Sequence, residues 1–282
     1  MSLIKDRFCF IGGDARQRYA AEMLSHGASV NVIGECYLGC GRCSICNNIA
    51  KAIYNCGVIV LPLPVGIMES VVGFDEFVEC VKGKGVLVLG GKFSQYMKQI
   101  LLENDIRYVD YYEDESFAIK NAYLTAEGAI SYAMNAYDGD LKTAKIAVIG
   151  YGRIGSALGE LRRGLMCRDV TVFARREEAL VTAYERGLLR ERLSEDYAYD
   201  FNLIFNTVPA RIISDKQLLG MRSSTILIEL ASAPGGFNSD IAVQSGIKVI
   251  KAPGIPGAYA PKSAGRILSE TITEILIKEV RL

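Results

Sequence analysis

The chain of 282 residues carries 32 Lys plus Arg and 32 Asp plus Glu, a formal net charge of zero; half of it is hydrophobic and 23% is charged. A balanced charge argues against a general nucleic-acid binder, which needs a basic excess over phosphates, and against a polybasic membrane-surface protein. At ~150 residues per domain the length suggests two domains, and the apolar fraction suffices for packed cores rather than disorder.

Short β-branched runs alternate with helical patterns from end to end, the signature of parallel sheets covered by helices. The first sixteen residues lack the continuous apolar region and small-residue cleavage site of a signal peptide. A soluble cytoplasmic chain is expected. In the first half, strands are predicted at residues 8–11, 29–33, 58–61, 86–89 and 107–110. The first runs into Gly12-Gly13-Asp14-Ala15-Arg16, a strand-to-helix turn at the carboxyl end of a strand, where open α/β sheets bind ligands. Asp14 and Gln17 occupy the places of the second and third glycines of a dinucleotide fingerprint. A pyrophosphate would meet the Asp14 carboxylate, so no dinucleotide is assigned here. Asp14 is read as complementing the helix dipole or as facing a substrate, and Arg16 as a partner for a substrate carboxylate.

His26, before Gly27 at a predicted helix end, is the only histidine. The chain therefore has no Ser-His-Asp triad, and no histidine of the kind that moves a hydroxyl proton in 2-hydroxy-acid dehydrogenases. A reaction whose proton loss is easy is favoured over alcohol oxidation. Cys36, Cys40, Cys43 and Cys46 follow the second strand. Their spacing suits zinc or an iron–sulfur cluster, and the first three match the C-x3-C-x2-C of radical-SAM enzymes. That family folds as a barrel, however, and this segment sits in an alternating α/β pattern. No metal is assigned, and all eight cysteines are read as thiols in a reducing compartment. The apolar run at 58–68 is broken by Pro62 and Pro64 and is short of the ~18 residues of a membrane span.

A helix over 125–137 is expected to connect the domains, with Thr125 as its N-cap and Asp138-Gly139-Asp140 as its stop. Glu127 then falls in its first turn, as a dipole-complementing acid or as a general base.

In the second half, strands are predicted at 145–149, 170–173, 202–205, 225–230 and 247–250. The first runs into Gly150-Tyr151-Gly152-Arg153-Ile154-Gly155 and then a helical pattern. The three glycines at this spacing provide a tight turn, close backbone approach to a pyrophosphate, and close helix–strand packing. The helix N-terminus supplies N–H groups and a positive dipole end. The next strand ends in Ala174-Arg175-Arg176, not in the acid that bonds the ribose 2′-hydroxyl of NAD. Two guanidiniums suit an extra phosphate, so NADP is the expected cofactor, with NAD possible; the alternative pairs them with Glu177 and Glu178. Asn206-Thr207-Val208-Pro209 follows the third strand, where a loop passes under the nicotinamide ribose. Two Gly/Pro-dense loops follow, one holding Ser232 and one holding Gly254, which allow a ligand close to the backbone. The last helix spans 262–280 and begins at Lys262, a second candidate for a substrate carboxylate.

The Gly12–Arg16 turn, the Gly150–Gly155 loop, the run Ala231-Ser232-Ala233-Pro234-Gly235-Gly236 and the run from Ala252 to Gly265 together resemble the dipicolinate synthase A-subunit family of spore-forming bacteria. The resemblance spans nearly the whole chain, although the cysteine cluster is not a family feature. It implies oxidation of dihydrodipicolinate to dipicolinate with NADP or NAD as hydride acceptor, in the mother-cell cytoplasm during sporulation, beside a flavoprotein-like dipicolinate synthase B-subunit. A homo-oligomer is expected. Removing hydride and a proton from a dihydropyridine makes an aromatic ring, so no strong base is demanded. Glu127 and Lys262 are the catalytic candidates. Asp14, Arg16, Ser232, Gly254 and Lys262 are the substrate candidates. Gly150, Gly152, Arg153, Ile154, Gly155, Arg175, Arg176 and residues 206–209 are the cofactor candidates. The fold expected is two Rossmann-like, doubly wound parallel-sheet domains with an interdomain cleft. Residues 1–122 form the substrate domain, 123–261 the nucleotide domain, and 262–282 a helix packing back on the first. The alternatives are a non-catalytic nucleotide-binding subunit that needs a partner, or an NADP-dependent dehydrogenase of another small carboxylate.

Overall fold

The computed structural model describes residues 7–194 and 197–281. In chain order its strands are β1 (Arg7–Ile11), β2 (Ser29–Ile33), β3 (Ser44–Ile45), β4 (Val58–Val60), β5 (Leu87–Gly90), β6 (Arg107–Asp110), β7 (Lys145–Ile149), β8 (Asp169–Ala174), β9 (Leu189–Arg192), β10 (Leu203–Asn206), β11 (Ile226–Glu229) and β12 (Lys248–Lys251). Its α-helices are α1 (Ala15–Leu24), α2 (Ile49–Ala52), α3 (Phe74–Val81), α4 (Gln95–Glu103), α5 (Glu115–Ala136), α6 (Arg153–Gly164), α7 (Glu177–Glu185), α8 (Asp215–Leu219), α9 (Ser239–Gln244), α10 (Ile255–Tyr259) and α11 (Pro261–Arg281). Among the described residues no helix is long and apolar enough to cross a membrane.

The chain divides into two compact units: Met1–Asn121 with Pro256–Leu282, and Ala122–Ile255. The first holds a six-stranded sheet ordered β3-β2-β1-β4-β5-β6, and the second a six-stranded sheet ordered β12-β11-β10-β7-β8-β9. Every strand pairing is parallel. Numbered within its own unit, each sheet reads 3-2-1-4-5-6, the doubly wound order whose reversal point lies beside the first strand. The central strands are continuous apolar runs, such as Phe8-Cys9-Phe10-Ile11 and Val58-Ile59-Val60, because helices bury both of their faces.

Five strands per half become six. The two additions, β3 and β9, are edge strands whose residues are all exposed. Leu189-Arg190-Glu191-Arg192 carries three charges, which suits an edge facing water but hides the strand from a hydrophobic pattern.

The connecting helix also differs from expectation. α5 starts ten residues before Thr125, which is buried inside it and is not its N-cap. Nothing from Glu115 to Thr125 breaks a helix. The cap is Asp114, whose Oδ1 accepts from the Phe117 N–H at 2.9 Å. Glu127 therefore stands mid-helix, and Glu115 is the first-turn acid. A dipole role for Glu127 is removed, since that effect fades within one turn.

In the first unit α11 lies across α1. A Cβ at Gly265 would fall 2.8 Å from the Arg16 carbonyl oxygen and 2.9 Å from the Ala20 nitrogen. Only a glycine lets the two backbones approach this closely.

Candidate functional site

The second unit builds its site around the turn from β7 to α6. Gly150 takes φ +91, and a Cβ there would lie 2.4 Å from Thr207 Oγ1. Its N–H donates to the Phe173 carbonyl at 2.8 Å, holding the turn against β8. A Cβ at Gly155 would lie 2.1 Å from the Gly150 oxygen, so α6 is pressed onto the turn it leaves. Gly152 differs: a Cβ there would meet no atom within 4 Å. It is the N-cap residue of α6, no side chain caps the helix, and no acid stands in its first turn. The open position at the positive end of a twelve-residue helix is the cradle a pyrophosphate requires. Arg153 is exposed as the first residue of α6, and Ile154 packs half-buried against the core beneath.

The loop after β10 lies against this turn. The Thr207 N–H and hydroxyl both donate to the Ile149 carbonyl, each at 2.9 Å. Asn206 is fully buried, with its amide committed: Nδ2 donates to the Val208 carbonyl at 3.0 Å and to Glu229 Oε1 at 2.6 Å, and Oδ1 accepts from the Val208 N–H at 3.1 Å. Asn206 thus shapes the loop, leaving Thr207, Val208 and the exposed Pro209 to present it. Glu229, which the motifs did not single out, also accepts from the Ala231 N–H at 3.0 Å and the Gly236 N–H at 2.8 Å. It therefore pins both ends of the loop that carries exposed Ser232.

Arg175 and Arg176 follow β8, and both are exposed. Glu177, offered by the sequence as a partner for them, pairs instead with Arg190 at 3.7 Å. Arg175 and Arg211 line one cavity of about 370 Å³ with Ile212, Ile213, Ser214 and Asp215. Two guanidiniums over a partly apolar cavity suit a phosphorylated nucleoside. Arg211 was not found from the sequence. Its only signal is a cation two residues beyond Pro209 in a loop of the nucleotide domain.

In the first unit Asp14 is the N-cap of α1. Its Oδ1 accepts from the Arg16 N–H at 2.9 Å, and Gln17 Oε1 accepts in return from the Asp14 N–H at 3.1 Å. This reciprocal capping box accounts for both Asp14 and Gln17. Asp14 Oδ2 also pairs with the Arg16 guanidinium at 3.1 Å. Arg16 is only 2% exposed, and its remaining fork nitrogen reaches Asn121 Oδ1 at 3.4 Å while Nε has no partner. A Cβ at Gly257 would fall 2.2 Å from Asp14 Oδ2, so the Gly/Pro loop closes directly over this pair. The buried, under-satisfied guanidinium is thus an internal group rather than a surface charge.

The other candidates are placed as follows. Lys262 is exposed in the first turn of α11, and Gly254 is exposed in open space with φ +66. Glu127 is exposed on α5 in the second unit. Among the described residues no three His, Cys, Asp or Glu side chains are grouped to hold a metal ion.

Residues 7–112 match the family described as the N-terminal domain of the dipicolinate synthase A-subunit. The dipicolinate synthase A-subunit of Bacillus subtilis (strain 168) is 29% identical, over 96% of this chain and 95% of that protein. The crystal structure of the dipicolinate synthase A-subunit from Bacillus halodurans superposes with a TM-score of 0.82 at 28% identity, over 98% of this chain and 99% of that one. A transhydrogenase from Sinorhizobium meliloti shares the fold, with a TM-score of 0.71 at 15% identity over 97% and 94% of the two chains.

Proposed function

Taking its resemblance to the dipicolinate synthase A-subunit throughout both units as the premise, we propose that this chain oxidises dihydrodipicolinate to dipicolinate, passing hydride to NADP or NAD, as one subunit of a synthase in the sporulating mother cell. The observation that carries the nucleotide half is the Gly150–Gly155 turn, in which Gly150 and Gly155 are closed by contact and Gly152 is open. When bound there, the nicotinamide supplies the hydride acceptor. The chain's own residues do the rest. Gly152 and the N-terminus of α6 receive the pyrophosphate. Thr207, Val208 and Pro209 offer carbonyl and hydroxyl oxygens as acceptors to the ribose hydroxyls, the Thr207 and Val208 donors being committed within the loop. Arg175 and Arg211 favour a 2′-phosphate, with Arg176 beside them.

In the first unit, Arg16 and Lys262 bind carboxylates, with Asp14 holding the Arg16 fork. The reaction removes a hydride and a ring proton and leaves an aromatic product, so a mild base suffices. Glu127 is assigned that proton. Glu127→Gln is expected to lower turnover at least tenfold with unchanged affinity for NADPH, since a positioned general base contributes typically 10²–10⁴-fold. Turnover at the parent rate removes the assignment.

The function is tested by assaying the purified chain for NADPH formation from dihydrodipicolinate, alone and with its partner subunit. No reduced nucleotide under either condition refutes it. For cofactor choice, Arg175→Ala and Arg211→Ala are each expected to weaken NADPH binding about tenfold or more and to leave NADH binding nearly unchanged. The basis is the ~1.5–3 kcal/mol of a hydrogen bond to a charged group. Equal losses for both nucleotides, read by fluorescence titration, contradict a 2′-phosphate pocket there.

A further inference from the structure

We propose that Asp215 selects the base of the bound nucleotide, accepting a hydrogen bond from the 6-amino group of adenine in the cavity that Arg175 and Arg211 share. This rests on the nucleotide reading above and adds to it a residue that specifies the base. Besides the two cations, the cavity of about 370 Å³ is lined by Leu193, Ile212 and Ile213, by two serines, and by the Asp215 side chain. A carboxylate is out of place in a pocket that holds only a phosphate, because like charges repel. Nor is it spent on its neighbours. Among the described residues no ion pair joins Asp215 to either guanidinium. It does not cap α8 either, since Ser214 does. The cavity thus suits a ligand that brings an anion to the cations and a hydrogen-bond donor to the acid. Adenosine 2′-phosphate carries both.

The apolar lining indicates which donor. Along the chain Ile212 and Ile213 stand between Arg211 and Asp215. Ile213 is buried, and Leu193 and Ile212 are half-buried. These side chains suit the two faces of a purine, whose polar groups lie on its edge. In adenine the edge donor is the 6-amino group. In hypoxanthine a carbonyl oxygen takes its place and turns a lone pair toward a carboxylate.

The walls are tied to one another, so Asp215 is carried at a fixed place. The buried Gln217 spans them: its Nε2 donates to the Ser194 and Tyr197 carbonyls, each at 3.0 Å, and its Oε1 accepts from the Ser214 N–H at 2.8 Å. The Leu193 N–H donates to the Ala174 carbonyl at 3.1 Å, beside Arg175. The Ile212 and Ile213 N–H groups donate to the Gly236 carbonyl at 2.9 and 3.0 Å. A wall held by such bonds favours a ligand that fits it, because little order remains to be imposed on binding.

The test is fluorescence titration of the full chain with NADPH and with deamino-NADPH, its hypoxanthine analogue. The parent is expected to bind NADPH about tenfold or more tightly than the analogue, on the scale of a hydrogen bond to a charged acceptor. Asp215→Asn places an amide there that both donates and accepts, and is expected to bring the two affinities within about threefold of each other. Asp215→Ala is expected to weaken NADPH and to leave the analogue unchanged or tighter. A parent that binds both nucleotides alike overturns the assignment of Asp215 and leaves the nucleotide site standing, as does an Asp215→Asn variant that keeps the full preference. A parent that binds neither nucleotide removes the nucleotide reading, and this inference with it.

Discussion

Gly155→Ala is expected to abolish nicotinamide-nucleotide binding and to destabilise the second unit by about 2–4 kcal/mol. The cause is local and cannot be relieved by side-chain rotation. The new methyl would sit 2.1 Å from the Gly150 carbonyl oxygen and 3.0 Å from its carbonyl carbon, both backbone atoms. Either α6 must move away by about an ångström, a shift set by ordinary van der Waals distances, or the turn must open. Gly150 cannot yield easily, because it lies against Thr207 and Val208 and is held to Phe173. Any of these movements displaces Gly152 and the helix N-terminus together, which removes the phosphate cradle. The measurements are thermal or urea unfolding of the full chain and fluorescence titration with NADPH. A variant that binds NADPH with parent affinity shows that the turn is not the nucleotide site. A variant that binds weakly yet unfolds at the parent midpoint separates the cofactor loss from the folding loss.

Arg16→Ala acts on the first unit and is expected to produce the second large effect. It removes a guanidinium that is 2% exposed and leaves the Asp14 carboxylate without its 3.1 Å partner, against a glycine loop that closes over it. Breaking a fully buried ion pair costs about 3–5 kcal/mol. The Asp14 side chain is 32% exposed, and water recovers part of that, so a loss of roughly 2–3 kcal/mol is expected. Arg16→Lys should recover the charge but not the fork that spans Asp14 and Asn121. Turnover with dihydrodipicolinate is expected to fall by about ten- to a hundredfold in kcat/KM, on the scale of losing a charge-assisted carboxylate contact. NADPH binding in the second unit stays intact. A folded Arg16→Lys variant with parent kcat/KM would show that Arg16 is structural only.

The parts of this molecule that were legible in the sequence are those where burial writes a simple pattern. Strands such as β1 and β4 are apolar along their central residues because both of their faces are covered. The glycine turn is legible because Gly150 and Gly155 leave no room for a side chain, and Gly152 keeps the phosphate side open. The edge strand β9 is charged and exposed, so nothing in its composition distinguishes it from a loop. The start of α5 was hidden because a long helix carries no internal punctuation, and Thr125 resembles a cap wherever it stands. Glu229 and Arg211 act through long-range placement. One sits at the end of a buried strand and collects donors from three other residues, and the other reaches the same cavity as Arg175 from thirty-six positions away. Such convergence is created by the sheet order. Arg16 is the reverse case: its type and position were legible but its burial was not, and the residue packed on its backbone, Gly265 of α11, comes nearly 250 residues later.

That packing of α11 on α1 bears on how the protein is made. The first unit is interrupted: its sheet and early helices are translated first, and its closing helix follows the whole second unit. A ribosome thus delivers every residue of the later unit while the earlier one still shows water the flank of α1 that Gly265 will cover. Domains usually mature in the order of their synthesis. Here the nascent chain is expected to reverse that order, with the inserted unit resistant to protease before the N-terminal one.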